Sequence, residues 1–403
     1  MGEVFITGLG SICGLGSTVP DYWAALMAGQ SAIRPLTGVD PGVKIRVGVP
    51  LDEFQADRYF NVNELPLLDR FSQFAVISAR EALADAGLED NAAIVSEAAA
   101  IIGTGCGGKQ TDEETYLQLY KQGRSRVYPL TIPKGMPSAA ASMVSQHLGI
   151  KGPVFSIASA CASSAHAVIQ GRMMIQSGLV DVALVGGTDA PFTYGLLKAW
   201  EALRVVSNDT CRPFSIDRSG MVLGEGAAML VLESGEHARQ RGARTYAELA
   251  GCGMSSDAGH ITRPDVDGIS MAMTRALEDA GLDAAAVQYI NAHGTGTVTN
   301  DVAETQAVHR VFGPHAQSLM VSSTKSMHGH VLGAASALEL VATALAISNG
   351  MVPPTANFSG PGEGCDLDYV PGTAREHRID AALSNAFAFG GLNAVIALKA
   401  CDS

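Results

Sequence analysis

The chain has 403 residues, of which 47% are hydrophobic and only 17% charged. That ratio supplies a large core and excludes a disordered chain. With 27 basic against 40 acidic residues the formal charge is −13, which argues against a general nucleic-acid binder or a protein held on an anionic membrane.

The opening MGEVFITGLG has no basic stretch followed by a long apolar run, so no signal peptide is expected. Residues 4–6 are expected to form a strand that enters a Gly-rich turn. Helix-spaced apolar residues predict a helix over 73–86. AAIIGTG and GPVFSIAS read as short buried strands, and a second helix is expected over 162–177. DVALVGG and AAMLVLES read as further strands. No Pro/Ser-rich linker interrupts the chain, and the junction between two halves is placed near 239–245, before a strand at 246–249. The most apolar long segment, 331–348, carries Glu339 and ends at Asn349-Gly350, a helix-stop signal. It is expected to be a core helix rather than a membrane span. The pattern as a whole is that of an α/β protein.

One stretch recurs. Ala82-Leu-Ala-Asp-Ala-Gly-Leu88 returns as Ala276-Leu-Glu-Asp-Ala-Gly-Leu282, about 195 residues on. A strand and a Gly-Thr-Gly turn follow each copy, at 103–105 and 294–296, and then a Ser-rich turn and an apolar helix. The order and spacing predict a duplicated unit with halves at 1–243 and 244–403, sharing one rigid interface.

The chemistry gathers at predicted strand-to-helix turns. Cys161 stands in Ser-Ala-Cys-Ala-Ser-Ser, where a strand meets a helix. A helix N-terminus is expected to lower its thiol pKa and to offer N–H groups to an oxyanion. His293 lies in Asn-Ala-His-Gly-Thr-Gly-Thr. His330 lies in Ser-Thr-Lys-Ser-Met-His-Gly-His, five residues after Lys325. The duplication would bring these turns together, and one Cys with two His suits acyl transfer. His328 and His166 are expected to be structural. No carboxylate or second Cys completes a zinc site at standard spacing. The seven cysteines form no CxxC pair, so a reducing cytoplasm is expected. The Gly103–Gly108 turn lacks the Lys-Ser/Thr of a phosphate loop.

Together SACASSAH, NAHGTGT, STKSMHGH and NAFAFGGLN resemble the β-ketoacyl-acyl-carrier-protein synthases, nearest to the KAS II type, along essentially the whole chain. MPSAAAS, LKAWEAL, DTCRPFS, VLGEGA and VPPTANF look closest to the nodulation-type ketosynthases, which build unsaturated chains. The resemblance implies a thiolase fold with a layered α-β-α-β-α core. It implies decarboxylative Claisen condensation, a two-carbon extension with loss of CO2. Cys161 then resembles the nucleophile, His293 and His330 the decarboxylating pair, and Lys325 their electrostatic support. The N–H groups of Cys161 and Phe389 resemble the oxyanion hole, with Phe389 also the gate. Thr295 and Thr297 look like the pantetheine-binding pair, with Glu304, Phe387 and Asn393 in support. Cys106 and Trp200 take acyl-pocket positions where the family tends to carry Ile and Phe. Asn291, Glu339, Ser384 and Asn385 resemble positions near a structural monovalent cation in some members. No catalytic metal or separate cofactor is implied, because substrates ride on the phosphopantetheine of an acyl carrier protein.

Two departures stand out. The family's GFGGTN is AFGGLN here, so Leu392 replaces a hydroxyl. Carrier proteins are acidic, yet residues 63–68, Asn-Glu-Leu-Pro-Leu-Leu, contain no base. Lys121, Arg124, Arg126 and Arg204 remain as docking candidates, and the apolar 65–68 stretch is a candidate protein contact. A homodimer and a heterodimer with a Cys-lacking chain-length-factor subunit both fit. A thiolase fits less well, since such sites generally hold a second Cys.

Overall fold

The computed structural model describes residues 2–401. Ten strands form the main sheet: β1 (Val4–Cys13), β2 (Ala99–Gly103), β3 (Val154–Ile157), β4 (Val182–Asp189), β5 (Gly226–Ser234), β6 (Ala247–Ser256), β7 (Tyr289–Asn291), β8 (Met320–Ser322), β9 (Ala381–Ala388) and β10 (Leu392–Lys399). Their order is β8-β7-β9-β10-β6-β1-β5-β4-β2-β3. Counted within each half, both run 3-2-4-5-1. In both, the first three neighbours pair in parallel and the last strand pairs antiparallel on each side. The halves meet where β1 and β6 pair antiparallel through Phe5 opposite Glu248 and Ile6 opposite Ala247.

Strand alternation sorts the side chains into layers. Ala99 and Ile101 of β2 face a central core, while Ala100 and Ile102 face an outer one. In β10, Ala394, Ile396 and Leu398 face the same central core, and Val395 and Ala397 face the opposite outer one. Three helices matter to the outer layers: α1 (Arg70–Asp85) on the first half, α4 (Val266–Ala280) and α5 (Val298–Phe312) on the second. Between the two halves of the sheet lie α2 (Ser163–Gln176) and α6 (Ala335–Asn349). Helix α3 (Tyr194–Leu203) lies outside this stack. The result is five layers, α-β-α-β-α. The segment from Leu332 to Asn349 has the length and apolarity of a membrane span, but 89% of it is buried in this central layer.

The strand expected over 4–6 runs on to Cys13, through the glycines read as a turn. The reason is a close approach. A Cβ on Gly10 would lie 2.0 Å from the Ser78 carbonyl of α1, and a Cβ on Gly253 would lie 1.9 Å from the Ala272 carbonyl of α4. In each half, the helix ending in the recurrent Ala-Leu-x-Asp-Ala-Gly-Leu stretch rests its backbone on a Gly-x-Gly strand. Gly253→Ala is therefore expected to lower stability by about 1–3 kcal/mol through overpacking, read as a lower thermal midpoint.

Other boundaries shift modestly. The helix expected from 73 begins at Arg70, capped by the Asp69 side chain. The helix expected from 162 begins at Ser163, after a 3₁₀ turn at Ala160–Ala162. The 331–348 segment divides into a 3₁₀ turn, Leu332–Ala334, and α6. The strand expected at 246–249 is β6 and extends to Ser256.

Candidate active site

Cys161 sits in the 3₁₀ turn between β3 and α2, just after Ala160, whose φ is +51°. A left-handed conformation is costly for a residue with a Cβ and marks a constrained turn. The sulfur is buried, and the Phe389 N–H points at it. The expectation of a lowered thiol pKa is not met. Burial pushes it up to about 11; Lys325 and the Phe389 N–H pull it down only in part, and the Asp189 and Glu339 carboxylates push it up further. Desolvation of the thiolate outweighs those favourable dipoles and charges. At rest the group is a thiol.

His293 follows β7, and His330 follows the short helix Lys325–His328. Their rings lie 5.6 Å apart at 84°. The Leu332 N–H donates to His330 Nδ1 at 3.1 Å. That bond leaves Nε2 to carry the proton of the neutral ring. Lys325 Nζ lies 3.3 Å from His293 Nδ1 and donates to the His293 carbonyl at 2.6 Å. An ammonium can only donate, so His293 also carries its proton on Nε2. Burial, and then the Lys325 cation, hold both imidazoles well below their ordinary pKa. The pair is neutral at physiological pH, with two N–H donors.

Lys325 is fully buried and pairs with the Glu339 carboxylate of α6. Burial pushes Glu339 up to about 7, against the pull of Lys325. Lys325→Met would leave that carboxylate alone in the core, and breaking a buried pair costs about 3–5 kcal/mol. The deficit is expected to be larger at pH 8 than at pH 5. A carboxyl whose folded pKa lies above 4.5 loses stability as pH rises through that window. Unfolding curves at the two pH values test this.

Glu304 of α5 accepts the His293 and Gly294 N–H groups, each at 2.8 Å, and the Asn385 amide at 3.0 Å. The Thr295 and Thr297 hydroxyls are 2.8 Å apart. Both line a pocket of about 620 Å³, mouth included, with Cys161, His293, His330 and Phe387 on its floor and walls. The Phe387 ring is 6.0 Å from His293. Phe389 is half-buried, and its ring lies 6.2 Å from Trp200. Neither Trp200 nor Cys106 lines the open pocket. They lie in an apolar cluster with Phe192, Leu197 and Leu332. Asn393 stands outside the pocket and donates to Asp257 at 2.6 Å, at the base of the Phe389-Gly-Gly turn.

His328 bonds to the Gly329 carbonyl and the Thr324 hydroxyl, and His166 to the Ser159 hydroxyl and the Ala162 carbonyl. Both are spent on structure. The sequence reading missed the 260–264 segment. Its Ile261, Thr262 and Arg263 line the mouth, and its Ile261 carbonyl accepts the Gly390 N–H at 2.7 Å. No motif signals that contact. No carboxylate is among the described residues lining the pocket, although the whole chain carries −13. Arg204 is exposed and adjoins Val205, which lines the mouth. Lys121, Arg124 and Arg126 lie on a fully exposed segment, 121–130. Of the apolar 65–68 stretch, Leu68 is buried and Leu65 packs on the protein's own core, so only Pro66 and Leu67 are available to a partner.

Asn291 Oδ1 and Glu339 Oε2 are buried oxygens without a hydrogen-bond partner. Strand pairing sets Ser384 opposite Asn291. Oxygen donors of this kind fit a hard monovalent cation. Asn385 does not share the cluster: strand alternation turns it to the other face, toward Glu304.

The family profile described as "Beta-ketoacyl synthase, N-terminal domain" matches residues 1–238, and "Beta-ketoacyl synthase, C-terminal domain" matches residues 246–359. The chain belongs to the β-ketoacyl synthase family. It is 50% identical over 401 residues to Nodulation protein E of Rhizobium sp. (strain N33), covering 98% of this chain and 99% of that protein. It is 42% identical over 406 residues to 3-oxoacyl-[acyl-carrier-protein] synthase 2 of Synechocystis sp. (strain ATCC 27184 / PCC 6803 / Kazusa), covering 98% of each. The solved ishigamide ketosynthase/chain length factor superposes with a TM-score of 0.95 at 36% identity, covering 100% of both chains. The fold is thus the thiolase fold of the ketosynthases, and the chain is an acyltransferase that performs the 3-oxoacyl synthase condensation.

Proposed function

We propose that Cys161, His293, His330 and Phe389 carry a two-step condensation on carrier-bound substrates. The observation that carries the reading is the convergence of a thiol and two neutral imidazole N–H donors on one pocket. In the first step the Cys161 sulfur attacks an acyl thioester, and its proton leaves with the pantetheine thiol. The oxyanion rests on the Cys161 and Phe389 N–H groups. In the second, malonyl thioester loses CO2, and its enolate oxygen is held by the Nε2–H groups of His293 and His330. The enolate carbon then attacks the acyl carbon, and Cys161 leaves as a thiolate that regains a proton. Loss of CO2 creates the carbon nucleophile without a strong base, which suits neutral imidazoles. Burial and then the Lys325 cation hold both rings neutral, while Lys325 fixes the tautomer of His293 and the Leu332 N–H that of His330. Thr295 and Thr297 bind the pantetheine arm. Cys106 and Trp200, behind Phe389, form the acyl wall. The phosphopantetheine belongs to the carrier, so no separate cofactor takes part. A monovalent cation among Asn291, Glu339 and Ser384 would supply only charge that orders the core.

The same reading divides the chain at 243/244, with the nucleophile in one half and both histidines in the other. The repeated strand order supports this, and an Arg172–Asp279 pair at 2.6 Å, buried on the arginine side, ties the two halves. Arg204 and Arg263 at the mouth favour an acidic carrier despite the negative total charge, with Lys121, Arg124 and Arg126 as further docking candidates. An exposed apolar face bears Tyr120 (83% exposed) and Ile132 (75%) together with Tyr116, Leu117, Tyr128 and Leu130. With the open edge of β3, it supports a dimer. A second copy fills that face in one version. The match to a ketosynthase/chain length factor favours a Cys-lacking partner in the other. Seven cysteines without a CxxC pair fit a cytoplasmic enzyme. The identity with Nodulation protein E leans the pathway toward specialised unsaturated chains.

The test supplies the purified chain, alone and with a candidate partner subunit, with an acyl-carrier thioester and malonyl-carrier thioester. The expected products are CO2 and a 3-oxoacyl carrier two carbons longer. Chain extension without CO2 release would contradict the scheme.

A further inference from the structure

Asp189 ends β4 and is fully buried, and the reading above gives it no role. Its carboxylate accepts hydrogen bonds from two segments far apart in sequence. Oδ1 takes the Thr104 hydroxyl at 2.9 Å and the Cys106 N–H at 3.0 Å. Oδ2 takes the Gly105 N–H at 2.8 Å and the Gly333 N–H at 2.6 Å. Every one of these groups is a donor and none is a cation. A carboxylate accepts from all of them and presents no hydrogen of its own. An asparagine would turn its NH2 toward two of them.

The second segment is the turn that aims His330. Leu332, between His330 and Gly333, has a φ of +48°, which is strained for a branched side chain. The Leu332 N–H sets the His330 tautomer at 3.1 Å. The next N–H along the chain is the one Asp189 holds. The first segment carries Cys106, which packs in the same apolar cluster as Leu332. The two turns are in direct contact. A Cβ added to Gly333 would lie 2.3 Å from the Gly105 nitrogen and 2.7 Å from Asp189 Oδ2.

We propose that Asp189 is a positioning residue of the condensation: its carboxylate clamps the turn that aims His330 to the turn that carries Cys106. The imidazole that promotes loss of CO2 and the wall of the acyl site are then set as one unit. The inference rests on the roles assigned above to His330 and Cys106. Loosening the clamp from either side disturbs decarboxylation and chain-length choice together.

The test uses Asp189→Asn and Gly333→Ala, with His330→Ala and Cys106→Ile as references. Two rates are measured per folded enzyme: CO2 release from malonyl carrier, and acylation of Cys161 by short and long acyl carriers. A misplacement near 1 Å can cost about 10²-fold, so CO2 release is expected to fall about 10- to 100-fold in both clamp variants. Their preference between short and long chains should shift, while acylation by the preferred chain changes little. The double variant should be no worse than the worse single one, because both open the same contact. Asp189→Glu, which keeps all the acceptors, should recover part of the loss. It also carries the readouts, with Gly333→Ala, if Asp189→Asn does not fold. Clamp variants that lose folded protein but keep wild-type chain preference and a wild-type ratio of CO2 release to acylation would overturn the clamp alone. Undiminished CO2 release in His330→Ala, or unchanged chain preference in Cys106→Ile, would overturn the underlying assignment and the clamp with it.

Discussion

His293→Ala and His330→Ala are each expected to slow condensation by about 10²–10³-fold, the usual cost of losing one donor to a developing oxyanion. Acylation of Cys161 should suffer far less, because its oxyanion is held by backbone N–H groups that neither substitution removes. Protonation decides the difference. Both Nδ1 atoms are committed, one to the Leu332 N–H and one to Lys325, so each Nε2 can only donate. Burial and Lys325 hold both rings neutral. The rate of CO2 release should therefore show no imidazole titration near pH 6.5, where an unperturbed histidine would gain a proton. Stopped CO2-release assays across pH 5.5–8 (roughly the range where free histidine titrates) check both points. An alanine variant that condenses at the wild-type rate would remove its histidine from the mechanism.

Cys161→Ala and Cys161→Gln are expected to diverge. Both lose acylation and condensation completely, since no other thiol is among the described residues lining the pocket. The glutamine variant should still release CO2 from malonyl carrier. Its side-chain carbonyl can occupy the hole formed by the N–H groups of residues 161 and 389, as the acyl carbonyl would, and leave both imidazoles free. The alanine variant leaves that hole empty. Higher CO2 release in the glutamine variant than in the alanine variant is the predicted order. Equal release would show that a filled acyl site does not assist decarboxylation.

The site was legible where chemistry is written in contiguous residues. Cys161, His293, Lys325, His330 and Phe389 each sit in a short turn with small neighbours, and one pocket gathers Cys161, His293, His330 and Phe389. The α/β class was legible from the alternation of buried strands with Ala-rich helices and the duplication from one recurrent stretch, while the five layers were implied only by the family resemblance. What escaped depends on what packs against a residue. Gly8 and Gly10 look like a turn until α1 is laid across them. The dipole argument for Cys161 ignored the burial that outweighs it. Asp189 is one carboxylate at a strand end, and only the fold shows that donors from 104–106 and from 333 converge on it. The 260–264 segment reaches the mouth without any motif of its own. Asn385 could be separated from Asn291 only once strand register was known.

The central claim is that Cys161 takes the acyl chain, and intact-protein mass measurement tests it most directly. The purified chain, alone and with a candidate partner subunit, is incubated with short, long and 2,4-dienoyl carrier thioesters. A mass gain equal to the acyl group, absent in Cys161→Ala, is the predicted result. A gain that survives in Cys161→Ala, or no gain with any carrier even when the partner is present, would contradict it.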